Sequence, residues 1–505
     1  MENKKYYFKC FAIGAALLSI IWHNYYLSPW MMDDSFIFFR YAENWAKGAG
    51  IVYNPGEFIE GYTSFLWLFI LMLGAKAGFD ITAFAKVAGT FFSIASIFLT
   101  SFSCYFLKTD AHEYAGDTAV LLLASSMVFL PWAVSGMETP LFSFLLLLSI
   151  LYYAKTSETK CTYSFFSAGA LCAMAFLARP EGAIAFAVMF FSAFKCRRPR
   201  MLFESLLFAG GFASISAPFL AWRYYYYGAL LPNTFHAKVG FTVIQILRGA
   251  AYASDFCVSS FPLVLLSASM FFFIGKWNDI GSKFFILPIT ILFYTLYIIA
   301  VGGDFMYAFR FFAPLMPIIC LTSSYSAFFL SSQLSEKSKT RITVNTIIAV
   351  SLFYIFIQNS TLPELFEIKE SQAVTAGTEI GLLLKQNAPA GAILATNTAG
   401  IIPYYSGLYT IDMLGLTNKE IAETCAPDKS GGSAGHEKGN GAYVLTKKPL
   451  YITFGNFLGQ KAPLYKGDKE IAESDEFKND YILKVYKLEK CEKFFTVYER
   501  KAQAR

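Results

Sequence analysis

Charge is scarce in this chain. Only 15% of its 505 residues are Asp, Glu, Lys or Arg, and a net charge of +6 is small for the length. An excess of that size reads as loop lysines and arginines and argues against a nucleic-acid footprint. Ordered cysteine patterns are missing as well. Nine cysteines are scattered. Seven of them (Cys10, Cys104, Cys161, Cys172, Cys196, Cys257 and Cys320) lie in or beside apolar runs, and no CxxC or Cys/His cluster points to zinc. No Walker A sequence occurs, and His436-Glu437 lacks the second His of HExxH. An ATP-driven transporter and a zinc protease are therefore disfavoured. No period suggests internal repeats.

What is abundant is apolar side chain. The chain is 55% hydrophobic, with mean hydropathy +0.45, 53 Phe and 31 Tyr. That composition describes a polytopic membrane protein with some soluble mass attached, its aromatics suited to lipid-facing surfaces and interfacial belts. Lys4, Lys5 and Lys9 precede a first apolar run, 11–27, which ends in His23-Asn24-Tyr25-Tyr26 without a small-x-small cleavage pattern. It reads as a retained first helix with a cytoplasmic N-terminus.

Further apolar runs lie near 62–79, 84–107, 117–134, 138–154, 163–178, 182–194, 202–221, 256–274, 284–300, 311–330 and 342–358. Basic clusters separate several of them: Lys155/Lys160, Lys195–Arg200, Lys276/Lys283 and Lys337/Lys339/Arg341. The positive-inside rule places these in the cytoplasm. The parity then works only if 62–79 stays on the outer side as a re-entrant or interfacial segment, leaving about eleven crossings of ~20 residues each. The short polar motifs fall outside: the Asp33-Asp34 loop, SGMETP (135–140), ARPEG (178–182), WRYYYYGALLPNTFHAKVG (222–240) and GGDFMYAFRF (302–311). That segregation indicates an outward-facing site.

From residue 359 the composition turns polar. AILATN (392–397), YTIDML (409–414), YITFGNFL (451–458), YILKVYKL (481–488) and FFTVYER (494–500) read as short strands, and TAGTEIGLLLKQNA (375–388) has helical spacing. The expectation is a transmembrane domain over 1–358 and a compact α/β or β-rich extracytoplasmic domain over 359–505. Cys425 and Cys491, the two cysteines of that domain, would be free to pair in an oxidising compartment.

Individual residues carry two readings each. Carboxylates beside a membrane span are costly to hold there and usually mark chemistry or transport. Asp33-Asp34 open an amphipathic stretch, so they are either a helix cap or a carboxylate held ionised at a helix N-terminus as a base or metal ligand. Arg179 beside Glu181 either snorkels or contacts phosphate. Arg310 after Asp304 is a structural pair or a lipid-phosphate contact. Glu138 caps a helix or faces a cleft; His236 and Lys238 are loop residues or site residues. Tyr224–Tyr227 read as an interfacial belt.

As a set, DDSFIFFRYAENWAKGAGIVYNPGEFIEGYTSFLW, SGMETPLF, RPEG, YYGALLPNTFHAK, GGDFM with Arg310, TNTAGIIPYYSGLYTIDMLGLTN and GHEKGNGAYVL resemble the GT-C class of glycosyltransferases, the polytopic enzymes that use polyprenyl-phosphate-linked sugars. Within it they resemble the bacterial group of the mycobacterial terminal arabinofuranosyltransferase. The resemblance implies a GT-C-like helical membrane domain. It implies transfer of a sugar, arabinofuranose or another pentose, from a polyprenyl-phosphate donor to an extracytoplasmic glycan of the cell envelope, with inversion. Carried over, Asp33 would act on the acceptor hydroxyl with Asp34 as orienting partner, the choice between the two staying open. Arg310, Arg179, Lys238 and Arg40 would meet the donor phosphate, and Glu60, Glu138, Asp304 and His236 would line the sugar and acceptor cleft. The leaving group is a phosphate monoester, so a divalent metal is compatible with the chemistry but no cofactor is demanded. The implied location is the bacterial inner membrane. A polyprenyl-linked glycan transporter or flippase is the competing class; it would more often bury its charges at mid-membrane depth.

Overall fold

The computed structural model describes residues 2–107, 114–156, 162–193, 201–238, 242–272, 282–331, 336–361, 369–424 and 435–502. Cys425, and with it the proposed pairing to Cys491, lies outside the described residues. So do the basic cluster Lys195–Arg200 and Lys276.

The chain forms two compact units. One comprises Met1–Ser28, Ala85–Trp222 and Gln245–Leu365; the other comprises Pro29–Phe84, Arg223–Ile244 and Phe366–Arg505. This differs from a division at residue 358. The loop after the first helix and the segment around NTFHAK belong with the C-terminal region, because their polar side chains are tied into it.

The first unit is helical. Asn3–Tyr26, Ile81–Ser101, Thr139–Thr156, Leu202–Tyr227 and Ala313–Ser331 are long and apolar enough to cross a membrane, some of them running past the unit's own bounds. Val243–Ser259 and Phe261–Phe272 would make a sixth span, although they meet at a 95° bend. The apolar run at 117–134 becomes a helix over Ala115–Ala124 and a 3-10 turn over Leu130–Val134. Ten residues of helix reach only ~15 Å at ~1.5 Å per residue, half of a hydrocarbon core. Tight packing is built in by small residues. A Cβ on Gly169 or Gly211 would run into the backbone of Phe208 or Phe166, so these helices approach closely only because the position is glycine.

The second unit, here the composite unit, has three parts. Its N-terminal part holds helices Asp33–Ala46 and Phe65–Lys76. The latter, 12 residues long, reaches ~18 Å and falls short of a bilayer. Its middle part is Arg223–Lys238, ending in the short helix Asn233–Lys238.

The C-terminal part is a five-stranded sheet: β1 (Ile393–Thr396), β2 (Tyr409–Asp412), β3 (Tyr451–Ile452), β4 (Tyr481–Lys487) and β5 (Phe494–Arg500). Its order is β2-β1-β3-β5-β4. β1 runs parallel to β2 and β3; β5 is antiparallel to β3 and β4. Each expected strand is present, with β3 cut to two residues because Gly455 at φ +68 turns the chain away. Both faces of the sheet are covered. Ile411, Ile421, Val444, Ile452 and Ile471 build one core, and Ile380, Leu384, Leu394, Tyr451 and Val497 the other. The helix expected at 375–388 is found over Lys369–Asn387 and supplies Ile380 and Leu384.

Candidate functional site

The helix that begins at Asp33 is capped by Met32 in extended conformation, without a side-chain cap bond. Asp33 and Asp34 occupy its first turn, where the helix dipole favours negative charge. The two carboxylates then part company. Asp33 accepts backbone N–H bonds from Gly400 (3.1 Å) and Ile401 (2.8 Å), so it closes the N-terminus of a different helix, Ile401–Ser406. The junction is tight: a Cβ on Gly400 would collide with the carbonyl and carboxyl of Asp33. Burial pushes the Asp33 carboxyl up to about 7; the two N–H donors pull it down and Asp34 pushes it further up. Asp34, half-buried, has no hydrogen-bond or ion-pair partner among the described residues.

The stretch between Arg40 and Tyr62 proves to be largely a docking device for the sheet. Asn54-Pro55-Gly56-Glu57 is a β-turn, with Glu57 N–H donating to the Asn54 carbonyl (3.1 Å) and Gly56 at φ +89. Pro and Gly at the two central positions suit a turn that needs a positive φ at the second. Asn54 then uses its amide against the edge strand β2. Its Oδ1 accepts from Thr410 N–H (3.1 Å) and its Nδ2 donates to the Thr410 carbonyl (2.9 Å), the pattern one strand offers another. An otherwise open sheet edge is thereby covered. Glu57 accepts from the Tyr409 hydroxyl.

Arg40 corrects the sequence reading. Its guanidinium donates to the carbonyls of Tyr53 (2.8 Å), Pro403 (2.8 Å) and Leu408 (2.8 Å) and to Asn54 Oδ1 (3.0 Å). A guanidinium buried in carbonyl oxygens holds the fold and is not placed to meet a phosphate. Tyr404 and Tyr405 are likewise packed, against Phe36, and Tyr404 donates to Glu43.

Further along, Glu60 is buried and paired with Arg223, Oε2 to Nε at 2.9 Å, with a hydrogen bond from Nη2 to Oε1 at 3.0 Å. Burial nevertheless pushes the Glu60 carboxyl up to about 7, with Arg223 acting against it. Asn233 fastens the NTFHAK helix: its N–H donates to the Glu60 carbonyl, and its Nδ2 to the carbonyls of Gly415 and Leu416. Those carbonyls lie in the loop after β2. Asp412 organises the loop by accepting from Leu414 N–H (3.0 Å) and Thr417 N–H (2.8 Å). Burial raises the Asp412 carboxyl despite these donors. Asp412 closes β2, inside the YTIDML stretch that the sequence marks as a strand. His236 faces the same region, half-buried, with an edge contact to Phe235. The Lys238 stem lies beside Gly435.

The helical unit holds the other expected residues. Arg179 sits just after helix Ser164–Ala178 and bonds Glu181 in bidentate fashion (Nε 3.2 Å, Nη2 2.8 Å) and also Glu138. Tyr297 adds a hydroxyl bond to Glu181 at 3.3 Å. Arg310 grips Asp304 through Nε (2.6 Å) and Nη2 (3.2 Å). Both guanidiniums lie near the Phe311 ring, at 5.4 and 5.1 Å from its centroid. Two cations thus face three carboxylates, so the group as it stands carries no surplus positive charge.

Comparison with known proteins agrees with these motifs. Residues 366–498 match a family described as a domain of unknown function, DUF8728. The chain is 28% identical over 334 residues to a terminal beta-(1->2)-arabinofuranosyltransferase of Corynebacterium glutamicum, covering 57% of this chain and 47% of the relative. To the protein of the same name from Mycobacterium tuberculosis it is 29% identical over 227 residues, covering 41% of this chain and 35% of the relative. The chain therefore spans about half the length of the first relative and about a third of the second. Among solved structures, apo ArnT from Cupriavidus metallidurans aligns over 97% of both chains with TM-score 0.58 and 10% identity. The oligosaccharyltransferase of Archaeoglobus fulgidus aligns over 88% of this chain and 69% of its own, with TM-score 0.55 and 11% identity. The chain has the GT-C fold, and the resemblance to the arabinofuranosyltransferase group extends from its motifs to its sequence.

Proposed function

We propose that the protein is a membrane glycosyltransferase that moves a sugar from a polyprenyl-phosphate donor to an extracytoplasmic glycan, with inversion, and that Asp34 is the base. The observation that carries the reading is the split between the adjacent carboxylates. Asp33 already receives two backbone N–H bonds, whereas Asp34 keeps its oxygens open. Asp34 takes the proton of the acceptor hydroxyl as that oxygen bonds the anomeric carbon. The carbon–oxygen bond to phosphate breaks, and polyprenyl phosphate leaves with the electron pair. Asp33 holds the loop against the N-terminus of helix Ile401–Ser406 and so positions its neighbour.

Support for the donor comes from similar proteins: one ArnT structure of this fold, with TM-score 0.57, is bound to undecaprenyl phosphate. The relatives' name makes arabinofuranose the first sugar to try. In this scheme Arg310 and Arg179 meet the donor phosphate by exchanging a carboxylate partner, with Lys238 as the further cation. The basic clusters would face the cytoplasm and the composite unit the outside of a bacterial inner membrane. A transporter is the weaker reading, since nothing in its task calls for one open carboxylate beside one bonded to backbone.

The test is to supply the purified protein with polyprenyl-phosphoryl pentoses and hexoses and a glycan acceptor, and to measure release of polyprenyl phosphate. Acceptor-dependent release that vanishes in Asp34→Asn is the expected result. Absence of release with every donor, alongside movement of the intact lipid across vesicles, would reverse the assignment.

A further inference from the structure

An open depression lies within the composite unit. Glu60, His236, Lys419, Glu423 and Phe58 are among the residues that line it. All three parts of the unit contribute to it. Its lining mixes apolar rings with a few polar groups, as ligand sites do.

Its charges are balanced locally. Glu60 is paired with Arg223 at 2.9 Å, and Lys419 with Glu423 at 3.8 Å. No surplus of cations remains to hold a phosphate, which is better served by a guanidinium fork. Hydrogen-bonding capacity does remain. Glu60 Oε2 lies within ion-pair range of Arg223 but outside hydrogen-bond alignment with any group, although the residue is only 3% exposed. The ring nitrogens of His236 make no hydrogen bond among the described residues. Phe58 is 54% exposed, although one edge packs on Tyr226. The turn at Gly56 fixes the chain two residues before it. An apolar face beside paired carboxylates, an ammonium and an imidazole suits a neutral polyol, which offers C–H faces together with hydroxyls that both donate and accept.

We propose that this depression is a subsite for a neutral glycan, binding a part of the acceptor chain other than the sugar that reacts. The proposal rests on the glycosyltransferase reading only for the word acceptor; binding of the glycan is measurable without turnover.

The experiment titrates the full-length protein, in detergent and without donor, with a linear arabinofuranose hexasaccharide, and repeats the titration with inorganic phosphate. Phe58→Ala and Glu423→Gln are compared with the unsubstituted protein, with thermal unfolding as the check on folding. Phe58→Ala should weaken hexasaccharide binding roughly threefold to tenfold, as loss of an aromatic contact does, and Glu423→Gln about threefold. In the transfer assay the same variants should raise the acceptor KM by matching factors while the donor KM and kcat stay put. Unchanged hexasaccharide binding in both folded variants overturns the subsite, as does a phosphate affinity that falls in them. Glycan binding sensitive to Phe58 with no transfer from any donor leaves the subsite standing and removes the activity proposed above.

Discussion

In the helical unit, Arg179 and Arg310 face Glu138, Glu181 and Asp304, and every one of these groups has an opposite charge in contact. In the composite unit the buried charges are also satisfied where they hold the fold, as Arg40 is by carbonyls and Asp33 by N–H groups. Yet, among the described residues, Asp34 has no bonded partner beside Asp33, and His236 lines a depression without a hydrogen bond. A fully paired cluster is held for structure or for exchange with a charged ligand, because removing one member leaves the others buried and uncompensated. A carboxylate left open next to a bonded one meets only the helix dipole, worth about 0.3–1 kcal/mol. The comparison therefore separates residues whose loss should unfold the protein from residues whose loss should silence it.

The sharpest break would come from Asp34→Asn. A positioned base contributes roughly 10²–10⁴-fold to rate, so transfer should fall by that factor while the thermal midpoint stays put. A variant that loses stability in step with activity would falsify the assignment. The opposite pattern is expected from Arg179→Ala, which leaves Glu138 and Glu181 buried without their cation. Stability should drop by about 3–5 kcal/mol, read by denaturant or thermal unfolding in detergent; a mild effect would place the cluster among exchangeable, solvated groups.

Gly400→Ala tests the junction that holds Asp33. Its new methyl meets the Asp33 carbonyl and carboxyl, so overpacking of about 1–3 kcal/mol is expected, with activity lowered because Asp34 moves with its neighbour. Asn54→Ala removes both bonds to Thr410 and should cost about 1–3 kcal/mol through unsatisfied backbone groups; protease access to β2 would report the uncovered edge.

The smallest effect is a pH dependence. The folded-state carboxyl of Asp33 sits at about 7 against an ordinary 3.8. Its contribution to folding is therefore fully present below about 4, declines as pH rises, and is lost above about 7. Asn has no such term. The midpoint of Asp33→Asn should gain on that of the unsubstituted protein between pH 4 and 7 and run parallel above, Glu60 cancelling because it titrates in both. A difference that shrinks with pH would reverse the sign of the Asp33 environment.

Much of this architecture is legible from short-range pattern. Apolar runs locate helices such as Thr139–Thr156 and Leu202–Tyr227, alternation locates β4 and β5, and Pro55-Gly56 dictates the turn they form, since hydrophobic period and turn chemistry act over a few residues. Run length alone did not reveal that 117–134 breaks after Ala124 or that 256–274 belongs to a bent pair, because composition does not report where a helix stops packing. Nor did it reveal the role of Arg40, which looks in sequence like any arginine near a membrane mouth. Its partners Pro403 and Leu408 lie 363 and 368 residues away. The sequence by itself determined the class of fold, the strands and the pair of acidic residues worth testing. Which of those carboxylates is bonded, and which is open, was decided by a glycine 367 positions downstream, since only tertiary packing brings a helix N-terminus to one carboxylate and leaves its neighbour without a donor.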